Sequence, residues 1–115
     1  MTTQTSALDE LLKLNGVVAA GEFRPDGALV EFRANTSMTP ELAAMSAQFC
    51  SSVTQLFNTL GLAFDKLSGM SWAPQRGWAY SGGQYTVCVG GNRGLFVETG
   101  KADFNQLFAA LSGPR

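Results

Sequence analysis

The sequence predicts one small domain of the α/β class, of the α+β type, on three observations. Apolar residues recur at helical spacing near both ends and through the middle of the chain. Between them, turn residues separate short runs rich in Val, Phe, Tyr and Trp, as strands require. A chain of 115 residues buries about two-thirds of its unfolded surface, enough for one core, and no linker or repeat interrupts it, so the domain spans 1–115 with its ordered part over 6–112.

The first helix is expected from Ser6 to Leu14. Ser6 and Asp9 have capping-box spacing, Leu8, Leu11, Leu12 and Leu14 form an apolar stripe, and Asn15-Gly16 stops it. A hairpin follows, with strands 17–23 and 28–33. Pro25 presets a turn and Gly27 takes its positive-φ position. The first strand is apolar on both faces, as in a sheet covered on both sides.

Thr39-Pro40-Glu41 supplies an N-cap, a first-position proline and a first-turn acid, opening a long helix that ends at Leu67 before Ser68-Gly69, with Gly61 marking a kink or an early stop. From Leu42 to Phe64 no residue is charged. Leu42, Met45, Phe49, Val53, Leu56 and Leu60 share one stripe at about 100° per residue, widened by Phe57 and Phe64. A flank of small side chains, Ala43, Ala47, Cys50, Thr54 and Gly61, runs beside it. The large stripe is expected to lie on the domain's own sheet, leaving the small flank and the neutral back to be covered by something else.

Three strands follow, Gln75–Ser81, Gln84–Val89 and Gly94–Glu98, joined by Gly82-Gly83 and Gly90-Gly91-Asn92-Arg93; Pro74 makes the first an edge strand. A last helix from Lys101 to Leu111 carries Phe104, Leu107, Phe108 and Leu111 and closes at Gly113-Pro114.

Charged residues make up only 15% of the chain against 45% hydrophobic, too few to coat the whole surface, so a partner is expected to cover part of it. The net charge of −1 shows no basic run, which argues against nucleic acid or an anionic membrane as partner. The polar start Met1 to Ser6 lacks a signal-peptide layout and no stretch of about 18 apolar residues exists, so a cytoplasmic protein without membrane insertion is expected.

The chain has no histidine, which removes serine–histidine and cysteine–histidine catalysis. With only two cysteines it offers no structural zinc set, and no cofactor is implied. Cys50 and Cys88 are expected as buried free thiols. Gly90-Gly91-Asn92-Arg93-Gly94 leads from strand to strand rather than strand to helix, so it is a hairpin turn and not a phosphate cradle. Glu22, Glu31, Glu41 and Glu98 are scattered and expected in solvent. Trp72, Arg76, Trp78 and Tyr80 fit either a partner or ligand surface or packing beneath the terminal helices, with Arg76, Trp78 and Tyr80 sharing one face of a strand.

The element order, the hairpin from Gly16 to Arg33 with Pro25-Asp26-Gly27 at its tip, the long helix after it and the closing Gly94-Leu95-Phe96-Val97-Glu98 strand resemble the roadblock and dynein light-chain superfamily, nearest to its short bacterial members. The resemblance runs from about Leu8 to Leu111. It implies a three-layer fold: a five-stranded antiparallel sheet, helices 1 and 3 on one face and helix 2 on the other. It further implies a homodimer in which central helices meet and third strands pair, placing Ala43, Ala47, Cys50 and Thr54 and the strand Gln75, Arg76, Gly77, Trp78, Ala79 and Tyr80 at the interface. Related proteins scaffold or regulate small Ras-like GTPases as platforms, so no catalytic residue is implied and the chain is expected not to be an enzyme. Two alternatives belong to other classes: a small-ligand sensor with Trp78 and the glycine-rich strands lining a pocket between sheet and helix, and a thiol-dependent accessory protein using Cys50 or Cys88.

Overall fold

The computed structural model describes residues 7–73 and 76–112. Its elements are α1 (Ala7–Leu12), β1 (Val17–Phe23), β2 (Leu29–Ala34), α2 (Pro40–Ser68), β3 (Trp78–Gly82), β4 (Tyr85–Gly90), β5 (Arg93–Glu98) and α3 (Phe104–Ser112), with a 3₁₀ turn, Thr99–Lys101, before α3. The five strands form one antiparallel sheet in the order β2-β1-β5-β4-β3. Hairpins make three of the four pairings; β1 with β5 closes the middle, which is why β1 is apolar on both faces.

Side chains alternate across this sheet and sort the core into two layers. On one face Val17, Ala20, Cys88, Leu95 and Val97 meet Leu8 and Leu11 of α1 and Leu107 and Leu111 of α3. On the other, Phe23 and Val89 meet Ala47 and Cys50 of α2. This is the α+β three-layer arrangement, with the terminal helices on one face and the long helix on the other.

The boundaries differ from the sequence in ways with local causes. α1 stops at Leu12 and leaves through turns to Gly16 at φ 85°; Ser6, its expected cap, lies outside the described residues. α3 starts three residues late because Asp103 caps it, its carboxylate accepting from Gln106 N–H at 3.1 Å. β3 begins at Trp78 rather than Gln75; Pro74 and Gln75 lie outside the described residues, as does the closing Gly113-Pro114. Just before β3, a side chain at Gly77 would come within 2.8 Å of the Phe108 ring and the Val89 carbonyl.

α2 forms as its signals direct. Thr39 caps it through Leu42 N–H at 3.1 Å, and Gly69, at φ 72°, returns its N–H to the Asp65 carbonyl. The helix runs through Gly61, which is buried because the Trp72 carbonyl passes 3.3 Å from where its Cβ would be. At 29 residues α2 is about 43 Å long.

Candidate interaction surface

The faces of α2 are assigned the opposite way to the sequence expectation. Ala43, Ala47 and Cys50, the small flank, are 4–6% exposed and lie on the chain's own sheet. The large stripe faces outward: Leu42, Met45 and Leu60 are exposed, Phe49 is 64% and Leu56 68% exposed. The reason is the sheet surface under the helix. Ala19, Gly21 and Gly94 present little or no side chain there, and a Cβ on Gly94 would lie 3.6 Å from Cys50 Sγ, so the helix backbone sits close and only small residues fit beneath it. The residual cavity, about 30 Å³, has room for about one water.

The hairpin tip fixes the rotation of the helix. Gly27, at φ 92°, lets Asp26 accept from Ala28 N–H at 2.9 Å, and the Pro25 carbonyl then accepts from Ser51 Oγ at 2.6 Å and Gln55 Nε2 at 2.8 Å. Trp78 fixes it from the other side: its Nε1–H donates to Thr54 Oγ1 at 2.8 Å and its ring meets Phe57 edge-on, centroids 5.7 Å apart. Trp78 therefore packs on α2, not beneath the terminal helices.

Between the outer stripe and β3 lies an open apolar groove of about 600 Å³, with Met45, Phe49 and Val53 on one wall, Trp78 and Tyr80 on the other and Val87 on the floor. Tyr80 is exposed at its rim. Trp72 does not join it: it packs on Phe64 near the far end of α2, centroids 4.9 Å apart, where Asp65 accepts from the backbone N–H groups of Trp72 and Ala73. Arg76 is exposed ahead of β3, and Gln75 lies outside the described residues.

The two sheet edges are built differently. β2 carries Glu31 and Arg33, paired at 2.6 Å, with Arg33 reaching Asp9 of α1 at 3.4 Å, charges of the kind that blunt an edge against further pairing. β3, Trp78-Ala79-Tyr80-Ser81-Gly82, carries none.

The chemistry-bearing residues stay apart. Cys50 and Cys88 are buried free thiols on opposite faces of the sheet, and burial pushes the Cys50 thiol up to about 11 and the Cys88 thiol up as well, away from a reactive thiolate. Glu22 is not simply solvated: it reaches Arg93 at 3.6 Å and accepts from Asn92 Nδ2 at the β4–β5 turn. The Gly90–Gly94 segment is that hairpin turn, with Gly91 at φ 59°. Among the described residues no cluster of three His, Cys, Asp or Glu could hold a metal, and no helix is long and apolar enough to cross a membrane.

Residues 7–113 match the profile of a family described as uncharacterized conserved protein (DUF2173). No curated protein matches the chain. Among solved structures, the Roadblock/LC7 domain from Streptomyces avermitilis superposes with a TM-score of 0.77 at 13% identity, over 96% of this chain and 90% of that one. The gliding protein MglB from Thermus thermophilus gives 0.68 at 16% identity, over 92% and 83%. A structure described as MglB with tetrameric arrangement gives 0.68 at 17%, over 92% and 82%. The likeness establishes the roadblock fold.

Proposed function

We propose that this chain, which belongs to the DUF2173 family and carries the roadblock fold, is a single-domain, homodimeric, non-catalytic binding module of the cytoplasm that scaffolds or regulates another protein. One observation carries this: the outer face of α2 is a continuous apolar stripe with no charged residue between Glu41 and Asp65, and it borders the uncharged edge strand β3. An apolar patch of that extent marks an interface, and the outer edge of the sheet's end strand beside it offers backbone hydrogen bonds to a second copy.

The interface then comprises the outer stripe with Trp78, Ala79 and Tyr80, and Arg76 at its margin. Ala43, Ala47 and Cys50 are replaced in it by the residues on the opposite side of the helix. The tetrameric arrangement in the description of one MglB structure supports self-association of this fold. A Ras-like small GTPase as the regulated partner rests on the superfamily resemblance. Sedimentation velocity over micromolar concentrations tests the dimer, and a stable monomer would overturn it. Affinity capture from native lysate tests the partner, which is wrong if no GTPase is enriched.

The groove beside Trp78 supports a second reading, a small-ligand sensor, because about 600 Å³ falls in the range of ligand pockets. Native mass spectrometry of freshly purified protein separates the two: a retained non-protein mass supports the sensor, and bare protein dimers support the interface.

A further inference from the structure

The outer stripe and the groove leave one end of the molecule unused. There β1 ends at Phe23, whose N–H donates to the Asn92 carbonyl of the β4–β5 turn, and the Arg76 carbonyl passes 3.2 Å from where a Cβ on Gly90 would be. Among the described residues, Lys13, Arg33, Arg93 and Lys101 have carboxylates 2.6–3.6 Å away, and Arg24, Lys66 and Arg76 have none. Arg24 and Arg76 flank this end directly, and Lys66 reaches it from α2. The acids of this end are engaged: Asp26 with the Ala28 N–H, Asp65 with the backbone of Trp72 and Ala73, and Glu22 with Arg93 and Asn92.

α2 meets β3 where Thr54 and Phe57 touch Trp78, and the turns after Phe57 carry it on to Ser68, braced by the Trp72–Ala73 backbone at Gly61 and Asp65. Gln55 donates to the Pro25 carbonyl at 2.8 Å, beside Arg24. At about 100° per residue, Gln55, Leu62 and Lys66 fall within about 40° of one another on the helix surface. Lys66 therefore lies about 16 Å along the helix from the hairpin tip, with Leu62, 63% exposed, between them. Leu62 is about 160° around the helix from the outer stripe and takes no part in it. Met70, also exposed, follows just past the helix end.

We infer that this end is a second docking surface, for an acidic segment of another protein that sets carboxylates on Arg24 and Lys66 and a large apolar side chain on Leu62 between them. Arg76, about 15 Å from Arg24 across three strand spacings, borders it where it meets the interface proposed above. Three cations without a competing carboxylate select negative charge. Exposed Leu62 and Met70 select a protein segment over a nucleic acid, whose phosphates would use the cations alone. The inference rests on reading the chain as a binding module for another protein and does not depend on its dimer.

Titrating isotope-labelled protein with the acetylated peptide Glu-Glu-Leu-Glu-Glu-Leu-Glu-Glu, followed by amide chemical shifts, tests it. The shifts are expected at Arg24, Leu62 and Lys66 and not at Met45 or Phe49. Arg24→Glu combined with Lys66→Glu, folded by circular dichroism, should lose about tenfold or more in affinity, and Arg24→Gln with Lys66→Gln less in the same direction. Leu62→Ser should weaken binding about threefold or more while leaving its salt dependence unchanged. No binding of the peptide, equal affinity in both cation variants, shifts confined to Phe49, Trp78 and Tyr80, or tighter binding of an oligothymidylate of equal charge would each overturn the inference and leave the dimer standing. A wild-type protein that sediments as a monomer yet binds the peptide at these residues keeps this surface and overturns the dimer alone.

Discussion

The two sides of α2 invert the usual relation between apolarity and burial. The inner side is small and only mildly apolar, yet it is sealed against the sheet; the outer side holds Phe49, Leu56 and Leu60 and is open. A helix that seats Ala and Cys over strand positions occupied by Ala and Gly approaches closely, and close packing compensates for the small area each residue buries. The outer side has area and no cover within the chain. The inner face thus belongs to the fold and the outer face to a partner, so substitutions on them should fail in different ways.

The largest effect is expected on the inner face. Ala47→Glu places a carboxylate in a site with no partner for it, at a cost of about 3–5 kcal/mol, and the protomer itself should lose its folded signal in circular dichroism and urea denaturation. Retention of a folded monomer would return Ala47 to the interface. Next, Gly77→Ala forces a methyl against the Phe108 ring and the Val89 carbonyl, for about 1–3 kcal/mol, read as a lower urea midpoint. Trp78→Phe keeps an aromatic ring against Phe57 but removes the donor to Thr54, for about 1 kcal/mol.

The effect that is smallest at neutral pH, where it vanishes, is a pH dependence from the buried thiols. Cys50 is raised from its ordinary 9.0 to about 11 by burial, so the unfolded chain gives up its proton first. Its contribution to stability is whole below pH 9 and is lost as pH rises from 9 to 11. Urea midpoints of wild type should fall across that window more steeply than those of Cys50→Ser; equal slopes would show that the thiol does not carry the effect.

Most of the fold was legible because its signals are local. Thr39-Pro40-Glu41 opened α2 where the cap forms, Pro25-Asp26-Gly27 placed the hairpin turn, and Pro74 marked β3 as an edge. The face of α2 was not legible from α2 alone. A wheel ranks sides by apolarity and assigns the greasiest one to the core, but the side that fits is set by what lies beneath it. That information sat elsewhere, in Ala19, Gly21 and Gly94, strand residues that leave room for a close helix and none for a Phe. Trp78 was legible as a candidate site residue, but its tie to Thr54 depends on a contact 24 positions away in sequence.

The central claim is that the outer face of α2 holds a second copy while the fold needs only the inner one. Light scattering of wild type and Phe49→Glu, with circular dichroism on the same samples, tests it most directly. Wild type is expected at twice the 12.2 kDa chain mass and Phe49→Glu at the single-chain mass, with unchanged helical signal in both. A Phe49→Glu protein that remains dimeric, or one that unfolds instead of dissociating, would contradict it.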